Sequence, residues 1–136
     1  MEERQRRVLL VERNPALSQL FDEALAELGF QVFAAEGRRQ ALDVLLEEPQ
    51  VDLLLVDLVD PAAEGAALLG FLAEQRATAR IPVVVMTDGE PPAGLVGRAV
   101  RLAKPFGLEE LRFATEEALG GRPGPPRSAG PAREAP

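Results

Sequence analysis

The 136-residue chain contains no cysteine, no histidine, no tryptophan and no tyrosine. Without cysteine there are no disulfides and no thiolate nucleophile; without histidine there is no imidazole base, and the usual zinc sites go with both. Carboxylates, hydroxyls and amines are what remain for chemistry. Six phenylalanines are the whole aromatic complement, so the core must be built from Leu, Val and Ala. Lysine is nearly missing too: of 15 basic side chains, 14 are arginine and one is Lys104. A compact ammonium on a flexible stem suits close contact with a small anion, so its single use marks a position where a guanidinium would not serve. An excess of positive charge is also lacking, and a net charge of −7 argues against nucleic acid as a partner. No long apolar run is present either. The basic head Arg4-Gln5-Arg6-Arg7 is followed by an apolar stretch that stops at Glu12, short of a secretory or membrane segment, so no membrane partner and a cytoplasmic location are expected.

What is there has a regular order. Four short apolar runs carry the strand signal: Val8 to Val11, Gln31 to Ala35, Val51 to Val56 and Pro82 to Met86. The first, third and fourth are continuous rather than alternating, as expected of parallel strands covered on both faces. Helical spacing fills the gaps. Pro15 fits a first helical position, and Leu17, Leu20, Phe21, Ala24, Leu25 and Leu28 repeat at three and four until Gly29. Ala41, Leu42, Leu45 and Leu46 mark a second helix that stops before Pro49, and Leu68, Leu69 and Leu72 a third. A last helix from about Leu108 to Leu119 turns Leu111, Ala114, Thr115 and Ala118 inward. Between Thr87 and Lys104 the chain holds Gly89, Pro91, Pro92, Gly94 and Gly97 and must also supply a fifth strand near Ala99 to Ala103, so the helix there is expected to be short or missing. The alternation predicts an α/β, doubly wound fold over residues 1–119. Residues 120–136 read as a disordered Pro/Gly/Ala/Arg-rich tail, a composition that buries too little surface to fold.

In such a sheet, ligands bind beyond the carboxyl ends of the strands. Glu12, Arg13 and Asn14 follow the first strand, Asp57 the third, Thr87 and Asp88 the fourth, and Lys104 the fifth. A carboxylate, a hydroxyl and an ammonium meeting on one edge suit a phosphoryl group, with Asp as nucleophile and Thr and Lys as donors to its oxygens. The strings that carry this constellation are Val11-Glu12-Arg13-Asn14-Pro15, Asp57-Leu58-Val59-Asp60-Pro61-Ala62-Ala63-Glu64-Gly65, Ile81-Pro82-Val83-Val84-Val85-Met86-Thr87 and Lys104-Pro105-Phe106. In their order and spacing they resemble the receiver domain of two-component response regulators, over about Arg6 to Leu119. The resemblance implies a flavodoxin-like, five-stranded parallel sheet of order 2-1-3-4-5 with helices on both faces. The function expected is that of a stand-alone, non-enzymatic receiver in a phosphorelay. Asp57 would be the phosphoacceptor, Thr87 and Lys104 would hold the phosphoryl oxygens, and Mg²⁺ would sit on Glu12, Asp57 and the Val59 carbonyl. The donor would be a sensor histidine kinase or phosphotransfer protein, and the output a contact with a downstream protein not named by the sequence. A cis Lys104-Pro105 peptide is expected from the same likeness.

Departures from the pattern bear on function. Arg13 stands where the family has a second, metal-binding carboxylate, which weakens the implied Mg²⁺ site, because that ion prefers carboxylates, phosphate and water. Counted as unit charges, Glu12, Arg13, Asp57 and Lys104 sum to zero, so Arg13 is expected to replace the metal, to pair with Asp57 or Asp88, or simply to face solvent. Arg101 occupies the place of the family's aromatic switch, and Asp88 puts a carboxylate where a small residue is usual. These departures support a rival reading: a phosphorylation-independent pseudo-receiver that binds or localises partners. A nucleotide- or flavin-binding enzyme on this fold has little support, since no Gly-rich phosphate loop follows the first strand.

Overall fold

The structure is a computed structural model that describes residues 4–48, 50–59, 62–88 and 99–120. Its strands are β1 (Arg7–Val11), β2 (Gln31–Ala35), β3 (Leu53–Asp57), β4 (Val83–Thr87) and β5 (Ala99–Ala103). The helices among the described residues are α1 (Pro15–Glu27), α2 (Arg38–Glu47), α3 (Ala62–Ala73) and α4 (Leu108–Ala118). All strand pairs are parallel and the sheet order is β2-β1-β3-β4-β5. The fold expected from the sequence is the fold observed. The short helix expected between β4 and β5 falls on residues 89–98, outside the described residues, as do Asp60, Pro61 and the tail after Gly120.

The order itself dictates which face each helix covers. Parallel crossovers are right-handed, so the step from β1 to β2 in one direction and the steps from β2 to β3 and β3 to β4 in the other put their helices on opposite faces. The buried side chains follow that rule. Val8, Leu10, Leu53, Leu55, Val84 and Met86 pack with Phe21 and Leu25 of α1 and Leu111 and Ala114 of α4. The alternate residues Leu9, Val11, Leu54, Val56 and Val85 pack with Ala41 of α2 and Leu68 and Leu72 of α3. Because both faces are covered, β1, β3 and β4 need apolar residues at successive positions, which is why their runs are continuous.

Local signals behave as their chemistry requires. Asn14 caps α1, its side-chain oxygen accepting from the Ala16 and Leu17 amides at 2.9 and 3.0 Å, with Pro15 in the first turn. Gly29 ends that helix with φ of 99°, a left-handed conformation that favours glycine. Two leucines expected inside lie outside: Leu20 is 57% and Leu46 82% exposed. Each flanks the stripe that faces the sheet, and at 100° per residue the stripe is narrower than the leucine pattern.

Candidate functional site

Alternation along the strands assembles the site. Val8 and Leu10 of β1, Leu53 and Leu55 of β3 and Leu102 of β5 all belong to the core under α1 and α4. Continuing with period two, Glu12, Asp57 and Lys104 fall on that same face at the carboxyl edge. Val11↔Val56 are register partners, so Glu12 and Asp57 are delivered side by side. Lys104 arrives from two strands away and needs its long stem to reach them. Its Nζ donates to Glu12 Oε1 at 2.9 Å and to Asp57 Oδ1 at 3.0 Å.

The three groups are nearly enclosed: side-chain exposure is 15% for Lys104, 2% for Glu12 and 6% for Asp57. Buried charges persist only when paired and hydrogen-bonded, and each of these is. Glu12 Oε2 also accepts from the Asn14 amide at 3.1 Å, and Asp57 Oδ1 from the Val59 amide at 3.0 Å. Burial by itself would lower the Lys104 pKa, but the hydrogen bonds to Glu12 and Asp57 and their Coulombic attraction outweigh it, and the ammonium is held above its ordinary 10.5. Lys104 also lies 5.6 Å from the centre of the Phe21 ring, which stacks on Phe106 with centroids 5.0 Å apart. The two rings form an apolar wall beside the ammonium, a role that helical spacing alone did not assign to Phe21. The Lys104-Pro105 peptide is cis, as expected.

Thr87 closes β4, and its backbone carbonyl accepts from the Lys104 amide at 2.7 Å. Its side chain is 2% exposed, yet Oγ1 has no hydrogen-bond partner among the described residues. A buried hydroxyl left unpaired is costly, so this one is suited to a ligand oxygen. Asp88, the next residue, is exposed.

Arg13 is placed differently from the pairings expected of it. By strand parity it continues Val11, on the α2 and α3 side of the sheet, and its Nη2 donates to Glu64 Oε1 of α3 at 2.9 Å. Its ion-pair partner among the described residues is Glu64 rather than Asp57 or Asp88, while Lys104 pairs with Asp57. The pocket charge is therefore not the expected zero. Arg13 and Glu64 cancel, and Glu12, Asp57 and Lys104 keep −1. Glu64 stood in the motif unassigned, seven residues beyond Asp57. Gly65 beside it sets the approach of α3: a Cβ there would lie 2.5 Å from the Asp57 carbonyl oxygen and 2.6 Å from Leu58 Cδ2. Only glycine lets the helix rest directly on the strand end that carries Asp57. A shallow cleft runs between these parts, lined by Asp57, Arg13, Glu64, Gly65, Gly37 and Arg38 among others.

The implied Mg²⁺ does not fit this donor set well. Among the described residues no three acidic, histidine or cysteine side chains group to hold a metal ion. Both available carboxylates are engaged by the Lys104 ammonium, and a guanidinium occupies the sequence position of the missing acid.

The family model "Response regulator receiver domain" matches residues 8–116. The chain is 29% identical over 118 residues to sporulation initiation phosphotransferase F of Bacillus subtilis (strain 168), covering 83% of this chain and 93% of that protein. It is 34% identical over 113 residues to the sensor histidine kinase TmoS of Ectopseudomonas mendocina, where the match covers 79% of this chain but 11% of the kinase. It likewise spans 18% of the two-component response regulator-like APRR1 of Arabidopsis thaliana. Among solved structures, the chemotaxis protein CheY4 of Vibrio cholerae superposes with a TM-score of 0.77 at 23% identity, over 85% of this chain and all (100%) of the other. A response regulator receiver domain protein of Bacillus halodurans superposes with a TM-score of 0.72 at 26% identity, over 88% of this chain and 99% of that one.

Proposed function

Because the chain belongs to the response regulator receiver domain family, we propose that it accepts a phosphoryl group on Asp57 and signals through protein contacts. Receiver domains are signalling modules of two-component systems that interact with histidine kinases or phosphotransfer proteins, and they generally bind Mg²⁺ at the phosphorylation site. The donor here is a sensor histidine kinase or phosphotransfer protein of the same cytoplasmic compartment, and residues 1–119 form the receiver unit, with a tail over 120–136. No helix among the described residues is long and apolar enough to cross a membrane. The observation that carries the reading is the Lys104 ammonium within 3.0 Å of Asp57 beside the unpaired, buried Thr87 hydroxyl.

Each group has a task in the reaction. A carboxylate oxygen of Asp57 attacks the phosphorus of the donor; the new O–P bond forms as the donor's bond to phosphorus breaks and its electron pair leaves with the donor. Lys104 stabilises the charge gathering on the transferred oxygens, and Thr87 donates its hydroxyl to one of them. Glu12 keeps the ammonium turned toward Asp57. Glu12, Asp57 and the Val59 carbonyl would hold Mg²⁺ only weakly.

Arg13 in place of an acid favours a second reading, a pseudo-receiver that binds partners without phosphorylation. Intact mass decides between the two. After incubation with Mg²⁺ and acetyl phosphate the protein should gain one phosphoryl group, and Asp57→Asn should gain none; an unchanged wild-type mass would leave the pseudo-receiver.

A further inference from the structure

We propose that Arg13 is a transferable counter-charge: it rests on Glu64 while Asp57 is unmodified and moves onto the phosphoryl group once Asp57 carries one, replacing the charge that a divalent cation would bring. The inference rests on Asp57 being the phosphoacceptor and deepens that reading. Four observations support it. Arg13 and Asp57 line the same cleft at the carboxyl edge of the sheet, although strand parity starts them on opposite faces. The Arg13–Glu64 pair is exposed, at 56% and 37% for the two side chains, and an ion pair in that setting costs little to break. The trio Glu12, Asp57 and Lys104 already sums to −1, and a phosphoryl group would add negative charge to it. Arg13 meets Glu64 through one bond, Nη2 to Oε1, whereas a guanidinium can hold phosphate oxygens in a planar, two-point fashion.

The consequence reaches α3. When Arg13 leaves, Glu64 in the first turn of α3 loses its partner beside Gly65, the residue on which the helix bears against the Asp57 backbone. The change of state is thereby reported on the α2 and α3 side, in a chain whose β5 carries exposed Arg101 at the position of the family's aromatic switch.

The test uses acetyl phosphate and intact mass, in Mg²⁺ and in excess EDTA. Donation to Asp57 forms its O–P bond and releases acetate with the electron pair, so no further reactant is required. Wild type should be labelled in EDTA, and Arg13→Gln should lose about tenfold or more of that labelling, as expected for one charge-assisted bond to phosphate. Glu64→Gln, which frees Arg13, should raise labelling in EDTA, an increase that a misfolded variant cannot give. Arg13→Asp should bind Mg²⁺ by calorimetry and be labelled only in its presence. Wild-type labelling that requires Mg²⁺ overturns the transfer of Arg13 and leaves Asp57 as phosphoacceptor. Equal labelling of wild type and Arg13→Gln in EDTA also overturns it. No labelling under either condition removes the phosphoacceptor reading and the inference together.

Discussion

The two cations at the carboxyl edge of the sheet live under opposite conditions. On the α1 and α4 side, Lys104 is nearly buried, bonded to two carboxylates and backed by the Phe21 ring. On the α2 and α3 side, Arg13 is more than half exposed and holds one carboxylate. The same nominal interaction, a salt bridge of 2.9 Å, is therefore a fixed part of the fold in one place and a loose contact in the other. Desolvation makes the difference: a buried charge cannot be abandoned by its partner, whereas an exposed one is solvated by water.

The largest effect should come from breaking the fixed side. Lys104→Met leaves Glu12 and Asp57 buried with no cation, and urea denaturation should show a loss of about 3 to 5 kcal/mol. The seam between the two sides comes next. Gly65→Ala drives a methyl into the Asp57 carbonyl and Leu58, and should cost about 1 to 3 kcal/mol by the same measurement. The contrast is sharpened by pH. Because the folded-state pKa of Lys104 is raised above 10.5, its contribution to stability is fully present below that pH and is lost as the pH climbs through the raised value. Unfolding midpoints followed from pH 9 to 12 on the order of the lysine range should fall in wild type and lose that component in Lys104→Met. Arg13→Gln should be the smallest perturbation, about 0 to 1 kcal/mol in the same denaturation experiment. A loss as large as that of Lys104→Met would erase the distinction between the two cations.

The fixed side was legible in the sequence because it depends on rules that act along the chain. Period-two alternation and the placement of polar residues at strand ends bring Glu12, Asp57 and Lys104 together once the strand order is known. The lone lysine pointed to the same spot from composition. The loose side was not legible, because the partner of Arg13 lies 51 positions away on α3 and is chosen by how closely that helix approaches β3. Gly65 controls that approach, and its spacing from Asp57 was visible while its contacts were not. Leu20 and Leu46 lie outside the expected face for a related reason: a repeat of leucines identifies a helix, but the width of the face that meets the sheet depends on packing.

Chemical trapping reads directly whether Asp57 receives the phosphoryl group. Borohydride reduces an aspartyl phosphate to homoserine, which peptide mass spectrometry locates after treatment with acetyl phosphate. Homoserine is expected at position 57 alone; its appearance at another carboxylate, or nowhere, would rule out Asp57 as the acceptor.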